Sequence, residues 1–180
     1  RLSETAPGVP RQKVRRRWFI LTRRLHRVTK RTMHEVKDSR QAAVRIGYDG
    51  RVHKRYAGLK ARERFENERR VLRYLERTGC PFVPRIVEEN PEQLVLVTSN
   101  CGSLASSVSE EKVRQHFAEL EQFGVRHEDP FARNVTYNPH QGRFNLIDFE
   151  FATILETGEG LRLEEVREPG RAINLDELDA

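Results

Sequence analysis

The sequence predicts an α+β fold, and three observations carry that expectation. Three pairs of short β-patterned segments are each joined by a turn signal, and two stretches, residues 59–78 and 109–123, repeat apolar residues at helical spacing. The third is length: 180 residues make one domain, or one domain with a tail, large enough to bury roughly two thirds of its unfolded surface.

The elements follow in chain order. RLSETAPGVP is turn-forming and polar, and reads as an arm. In RQKVRRRWFILTRRLHRVTKR the residues Val14, Trp18, Leu21, Leu25 and Val28 are spaced 4, 3, 4 and 3 apart, one face of an α-helix with arginines on the others. Such a helix over residues 11–31 suits an anionic membrane, nucleic acid or an acidic partner, or packs its stripe on the acidic body of its own chain. A strand through WFIL has the same apolar pattern. QAAVRIGYDGRVHKRYAG then reads as a hairpin, with Tyr48-Asp49-Gly50 turning between residues 43–46 and 52–56. Alternation puts Val52, Lys54 and Tyr56 on one strand face.

The stretch 59–78 carries Phe65, Leu72 and Leu75 on one helix face with Glu68 beside them, and Gly79 is a natural stop. RIVEENPEQLVLVTSN predicts a second hairpin, 85–88 and 94–98, turning at Glu89-Asn90-Pro91-Glu92. Ser109 is a fitting N-cap for a helix whose stripe is Val113, Phe117, Leu120 and Phe123, ended by Gly124. NVTYN and FNLIDFEFA, separated by Pro139-His140-Gln141-Gly142, make a third hairpin, and a short helix is expected before Pro169.

Composition limits the function classes. Apolar residues at 37%, charged residues at 33% and a mean hydropathy of −0.74 describe a soluble, folded chain. No apolar run approaches the ~20 residues that span a bilayer. The N-terminal basic stretch has an apolar core of four residues, Trp18, Phe19, Ile20 and Leu21, too short for a signal peptide. Cys80 and Cys101 lack both a disulfide framework and metal-ligand spacing, so a reduced, cytoplasmic setting is expected. The net charge of +6 is uneven: residues 1–34 hold eleven Lys or Arg against one acid, Glu4, which makes +10 and leaves −4 for the other 146 residues.

Chemistry is concentrated in five residues. Phosphoryl transfer from ATP needs a cation at the phosphates, hard oxygen ligands for Mg²⁺ and a carboxylate that takes the proton of the acceptor hydroxyl. In order, the chain offers Lys54 on a strand, Glu68 on a helix, Asp129 and Asn134 in the loop HEDPFARN, and Asp148 after an apolar strand. VHKRY, FENERRVLRYL, LVTSNCG, HEDPFARN and IDFE, taken together over residues 42–152, resemble the protein-kinase-like superfamily: its third-strand lysine, first large helix, hinge, H-R-D-x-x-x-x-N loop and D-F-G. The resemblance implies a bilobal fold: an N-lobe over 35–100 with a small antiparallel sheet and one helix, and a truncated C-lobe over 101–180, preceded by the basic segment 1–34. It implies that Lys54 pairs with Glu68 and holds phosphates, that Asp129 is the base, that Asn134 and Asp148 hold Mg²⁺, and that Ser99, Asn100 and Cys101 meet the adenine of ATP. The activity so implied is kinase chemistry, with protein Ser/Thr ahead of a small molecule as acceptor.

The departures bear on substrate. No G-x-G-x-x-G precedes Lys54, Glu128 replaces the Arg of H-R-D, Phe131 stands where Ser/Thr kinases keep Lys, and Glu150 replaces the last Gly of D-F-G, similar to choline and ethanolamine kinases. With 27 residues between Cys101 and Asp129 and 32 after Asp148, the acceptor-binding helices of protein, choline and aminoglycoside kinases are expected to be absent. In this the chain resembles RIO kinases and the kinase subunit of the KEOPS complex, and the resemblance implies a protein partner that supplies acceptor specificity. Alternatives stand beside these roles: Asp129 and Asn134 as loop-forming residues, Glu63 or Glu66 in place of Glu68, Arg51 or Arg55 in place of Lys54, and a low-activity ATPase or pseudokinase subunit. His127 reads as a structural hydrogen-bonding residue and Cys101 as an ordinary one.

Overall fold

The computed structural model describes residues 34–38 and 42–166. The expected basic arm and helix over 1–31 lie outside the described residues. The described chain is α+β, as expected. β1 (His34–Asp38), β2 (Ala42–Ile46), β3 (Val52–Tyr56), β4 (Ile86–Asn90) and β5 (Val95–Thr98) form an antiparallel sheet in the order β1-β2-β3-β5-β4, and α1 (Ala61–Arg77) follows β3. β6 (Ser103–Leu104), α2 (Glu110–Gln122), β7 (Val125–His127), a 3₁₀ turn (Ala132–Asn134), β8 (Val135–Asn138), β9 (Arg143–Leu146) and β10 (Ala152–Ile154) complete it, with small sheets β6-β8-β9 and β10-β7. The short helix expected before Pro169 is a 3₁₀ turn, Leu163–Val166.

The Asp-Gly turn behaves as its chemistry requires. Gly50 adopts φ 73° and the Gly47 N–H closes the hairpin on the Arg51 carbonyl at 2.8 Å. The second hairpin turns later than expected, at residues 91–94. Asn90 ends β4 in place of turning, because its Oδ1 accepts the Gln93 N–H at 3.0 Å and Pro91, without an N–H, cannot extend the ladder. Leu94, expected in the strand, takes φ 52° outside it. Gly102, at φ 99°, joins β5 to β6 where a Cβ would collide with the Tyr137 carbonyl, so only glycine fits there.

α1 buries Phe65, Val71, Leu72 and Leu75. It ends at Thr78, after which the Cys80 N–H returns to the Leu75 carbonyl at 2.9 Å and Gly79 takes φ 75°, a Schellman-type stop. α2 is capped by Ser109, whose side chain accepts the Lys112 N–H at 3.2 Å. Ser109→Ala should therefore cost about 1 kcal/mol in urea unfolding while Ser109→Asp retains most of the stability. One continuous core joins α1, α2 and the strands between them through Phe65, Leu96, Phe117, Leu120, Leu146 and Phe149. Among the described residues no helix is long and apolar enough to cross a membrane.

Candidate functional site

Strand alternation turns Lys54 and Tyr56 to one face of β3, and the helical period turns Glu68 toward them from α1. The Lys54 ammonium donates to Glu68 Oε2 at 2.8 Å and to Asp148 Oδ1, and lies 3.1 Å from Glu150 Oε2. The Tyr56 hydroxyl donates to the same Glu68 oxygen. Glu68, Asp148 and Glu150 bring carboxylate oxygens within 4.8 Å of one another. Glu68 and Glu150 are buried, whereas the Asp148 side chain is 30% exposed, so Asp148 is the open side of the cluster.

Charges this close set each other's ionisation. Burial by itself pulls the Lys54 pKa down, but Asp148, Glu68 and Glu150 outweigh it and leave the ammonium well above its ordinary value. Glu150 is shifted upward by burial, countered by Lys54 and reinforced by Asp148 and Glu68. Lys54 is thus a fixed cation. Asp148 itself sits at φ 67°, a left-handed conformation that costs a non-glycine residue about 1 kcal/mol and persists only where neighbours hold it.

The loop after β7 supplies a second group. Asp129 is buried; its Oδ1 accepts from the Arg133 guanidinium at 2.6 Å and its Oδ2 from the Asn134 amide at 2.8 Å. The same Asn134 nitrogen donates to the Asp129 carbonyl at 2.8 Å. Asn134 therefore stands with Asp129, its Oδ1 being the atom left for a cation, while the carboxylates that converge with Asp148 are Glu68 and Glu150. A backbone bond ties the two groups: the Ile147 N–H donates to the Asn134 carbonyl at 3.0 Å, one residue before Asp148. Hard oxygen donors of this kind suit Mg²⁺.

His127 has the structural role expected of it. The Asp129 N–H donates to Nδ1 at 3.1 Å, so Nε2 carries the proton and donates to the Ile147 carbonyl, also at 3.1 Å. Burial lowers its pKa, only partly offset by Ile147, Asp148 and Asp129. A histidine held neutral in the fold but free to charge when unfolded stabilises the protein above its unfolded value of about 6.5, and that contribution declines as pH falls below it. The His127 ring should accordingly resist protonation in an NMR titration from pH 7 to 5. Melting temperature should drop over the same range more steeply in the wild type than in His127→Gln.

Residues 99–101 follow β5. The Ser99 N–H donates to the Arg85 carbonyl and its Oγ accepts the Arg85 N–H, both at 2.9 Å. Asn100 Oδ1 accepts from Gly102 N–H, and the Cys101 carbonyl accepts from Thr136 and Asn145. Burial pushes the Cys80 and Cys101 thiols up to about 11, which leaves them without thiolate chemistry at neutral pH. Glu128 accepts from the Thr153 hydroxyl at 2.6 Å, and Phe131 is exposed with the Arg133 guanidinium 4.5 Å from its ring centre.

Two contributors escaped the sequence reading. Glu150 lies inside the apolar run LIDFEFA, where an acid demands a partner just as Asp148 does, and that was the available signal. Arg133, four residues past Asp129, gave no signal beyond its charge. No protein-family model matches this chain, and no curated protein matches it.

Proposed function

We propose that this protein is a minimal, atypical member of the protein-kinase-like superfamily, a Mg-ATP-dependent phosphotransferase that moves the γ-phosphate to a hydroxyl. A protein Ser/Thr side chain is placed ahead of a small-molecule alcohol as acceptor. The observation that carries the reading is the convergence of Lys54, Glu68 and Asp148 from a strand, a helix and a loop, with Asp129 and Asn134 tethered to the same chain segment.

On this reading the Lys54 ammonium meets the phosphates, oriented by Glu68. Asp129 accepts the proton of the acceptor hydroxyl, and Arg133 and Asn134 hold its carboxylate in place. Asp148 and Asn134 Oδ1 would hold Mg²⁺, which when bound neutralises charge developing on the phosphate oxygens. The adenine lies against residues 99–101. Since α2 is the only helix between Cys101 and Asp129, the acceptor site is completed by a protein partner, and residues 11–31 offer a route to an anionic membrane or nucleic acid.

A second reading has its own support. The β2–β3 connection is a tight turn without a glycine-rich loop, and Asp129 is paired with Arg133, features that favour a low-activity ATPase or a pseudokinase subunit. Labelled ATP with Mg²⁺ separates them. Wild type should transfer or hydrolyse phosphate, with the rate reduced by a factor of about 10³ or more in Asp148→Ala. Absence of any nucleotide-induced thermal shift in the wild type would sink every ATP-dependent reading.

A further inference from the structure

α1 carries two other buried polar residues near Glu68. Arg64 and Asn67 precede Glu68 by one helical turn and by one residue, and Arg64 is 0% exposed. Buried groups of this kind persist only when they are paired. Their partners lie in two places. Arg64 donates through Nε to the Leu59 carbonyl at 3.0 Å and through another nitrogen to the Ala57 carbonyl, in the loop that joins the Lys54 strand to α1. Its NH1 lies 3.4 Å from both Glu150 oxygens. Asn67 donates to the carbonyls of Glu150 at 3.1 Å and Ala152 at 3.0 Å.

The Arg64 contacts to Glu150 and both Asn67 bonds therefore run from α1 to the residues immediately after Asp148, while the other Arg64 bonds fix it to the loop before α1. The same segment is pinned on its other sides. Phe149 is fully buried in the core with its ring 5.2 Å from that of His127, Ile147 is bonded to Asn134, and the Phe151 carbonyl accepts the Glu128 N–H at 2.9 Å. A left-handed Asp148 held from both sides is what an over-determined segment looks like.

We infer that Arg64, Asn67 and Glu150 form a latch that keeps α1 and the Asp148 segment permanently in register, so that the candidate site is assembled without any activating modification or ligand. The latch is a property of the fold, but its meaning as regulation of a phosphotransfer site rests on the function proposed above. Glu150, at the position where D-F-G has its flexible glycine, becomes the residue that removes freedom. Glu128, which holds Thr153 instead of offering a cation to a phosphate, fits the same design.

Hydrogen exchange of the full chain, read by mass spectrometry, tests this. Without nucleotide, amides of residues 148–152 and of α1 should exchange as slowly as core amides around Leu72 and Leu146, and Mg-ATP should slow them by less than about threefold. Exchange at 148–152 that is fast in the free protein and slows on adding Mg-ATP overturns the inference, because the site would then be assembled by its ligand. If Mg-ATP changes no amide and gives no thermal shift, the phosphotransfer reading fails while the free-protein comparison still decides the latch.

Two variants probe the residues. Arg64→Met with Glu150→Met removes both charges together and spares the fold an orphaned ion; Asn67→Ala removes the two carbonyl contacts. Each should speed exchange at 148–152 at least about tenfold at a temperature where the core amides are unchanged, and lower kcat at saturating Mg-ATP about tenfold with little change in nucleotide Kd. Unchanged exchange at 148–152 in both variants overturns the latch.

Discussion

Lys54→Met is expected to destabilise the protein by about 3–5 kcal/mol at pH 7.5, the usual cost of removing one partner from a buried ion pair, and, under the phosphotransfer function proposed above, to abolish nucleotide-dependent transfer as well. The ammonium is the shared counter-ion of Glu68, Asp148 and Glu150. Without it, carboxylates within 4.8 Å of one another lose their shared ammonium, and Arg64 reaches only the Glu150 end of the cluster, at 3.4 Å. The sign of the pH dependence identifies the cause. Burial already holds the Glu150 pKa above its ordinary value, and Lys54 is the largest influence pulling it back. A carboxyl with a raised folded pKa loses stability as pH rises from its unfolded to its folded value. Deleting Lys54 widens that window upward, so the deficit should be greatest at pH 7.5 and shrink toward pH 5. Urea unfolding at the two pH values decides the matter. An equal deficit at both would assign the loss to packing of the lysine stem, and no deficit would mean that the three carboxylates are effectively solvated.

Phe149→Ala is expected to have a comparable effect on stability for a different reason. The ring is wholly buried between the core and His127, and truncating a buried phenylalanine costs about 3–5 kcal/mol in lost transfer energy and cavity. Against a total stability of about 5–15 kcal/mol, that brings the domain close to unfolding at 37 °C. Phe149→Leu keeps most of the volume and should cost clearly less. The urea midpoint at constant m-value measures both. A small effect of Phe149→Ala would show that the segment after Asp148 collapses readily into the space, which would also weaken the case for its rigidity.

Much of this architecture is legible in local chemistry. The periodicity of Phe65, Leu72 and Leu75 marks α1, Ser109 marks the start of α2, and Asp49-Gly50 marks the first hairpin; each signal spans only a turn or two of chain. Where local rules compete, sequence and structure part: Asn90 has the composition of a turn residue, but it closes the turn from the end of a strand, so β4 is longer than its pattern predicts and Leu94 is left-handed. The pairing of β7 with β10 and the two-residue β6 were not anticipated, because three-residue strands carry too little pattern and their partners lie about 25 residues or more away in sequence.

The candidate site divides in the same way. By itself the sequence determined which charged residues stand out and in what order, since an acid in an apolar run and a lysine at an inward strand position are local anomalies. Tertiary structure alone decided the partners. It placed Glu150 on Arg64 across 86 residues and on Lys54, and set Asn134 on Asp129. Such pairings depend on which buried charges meet in space, where the cost of burying each is offset only by the other, and no local pattern encodes that distance.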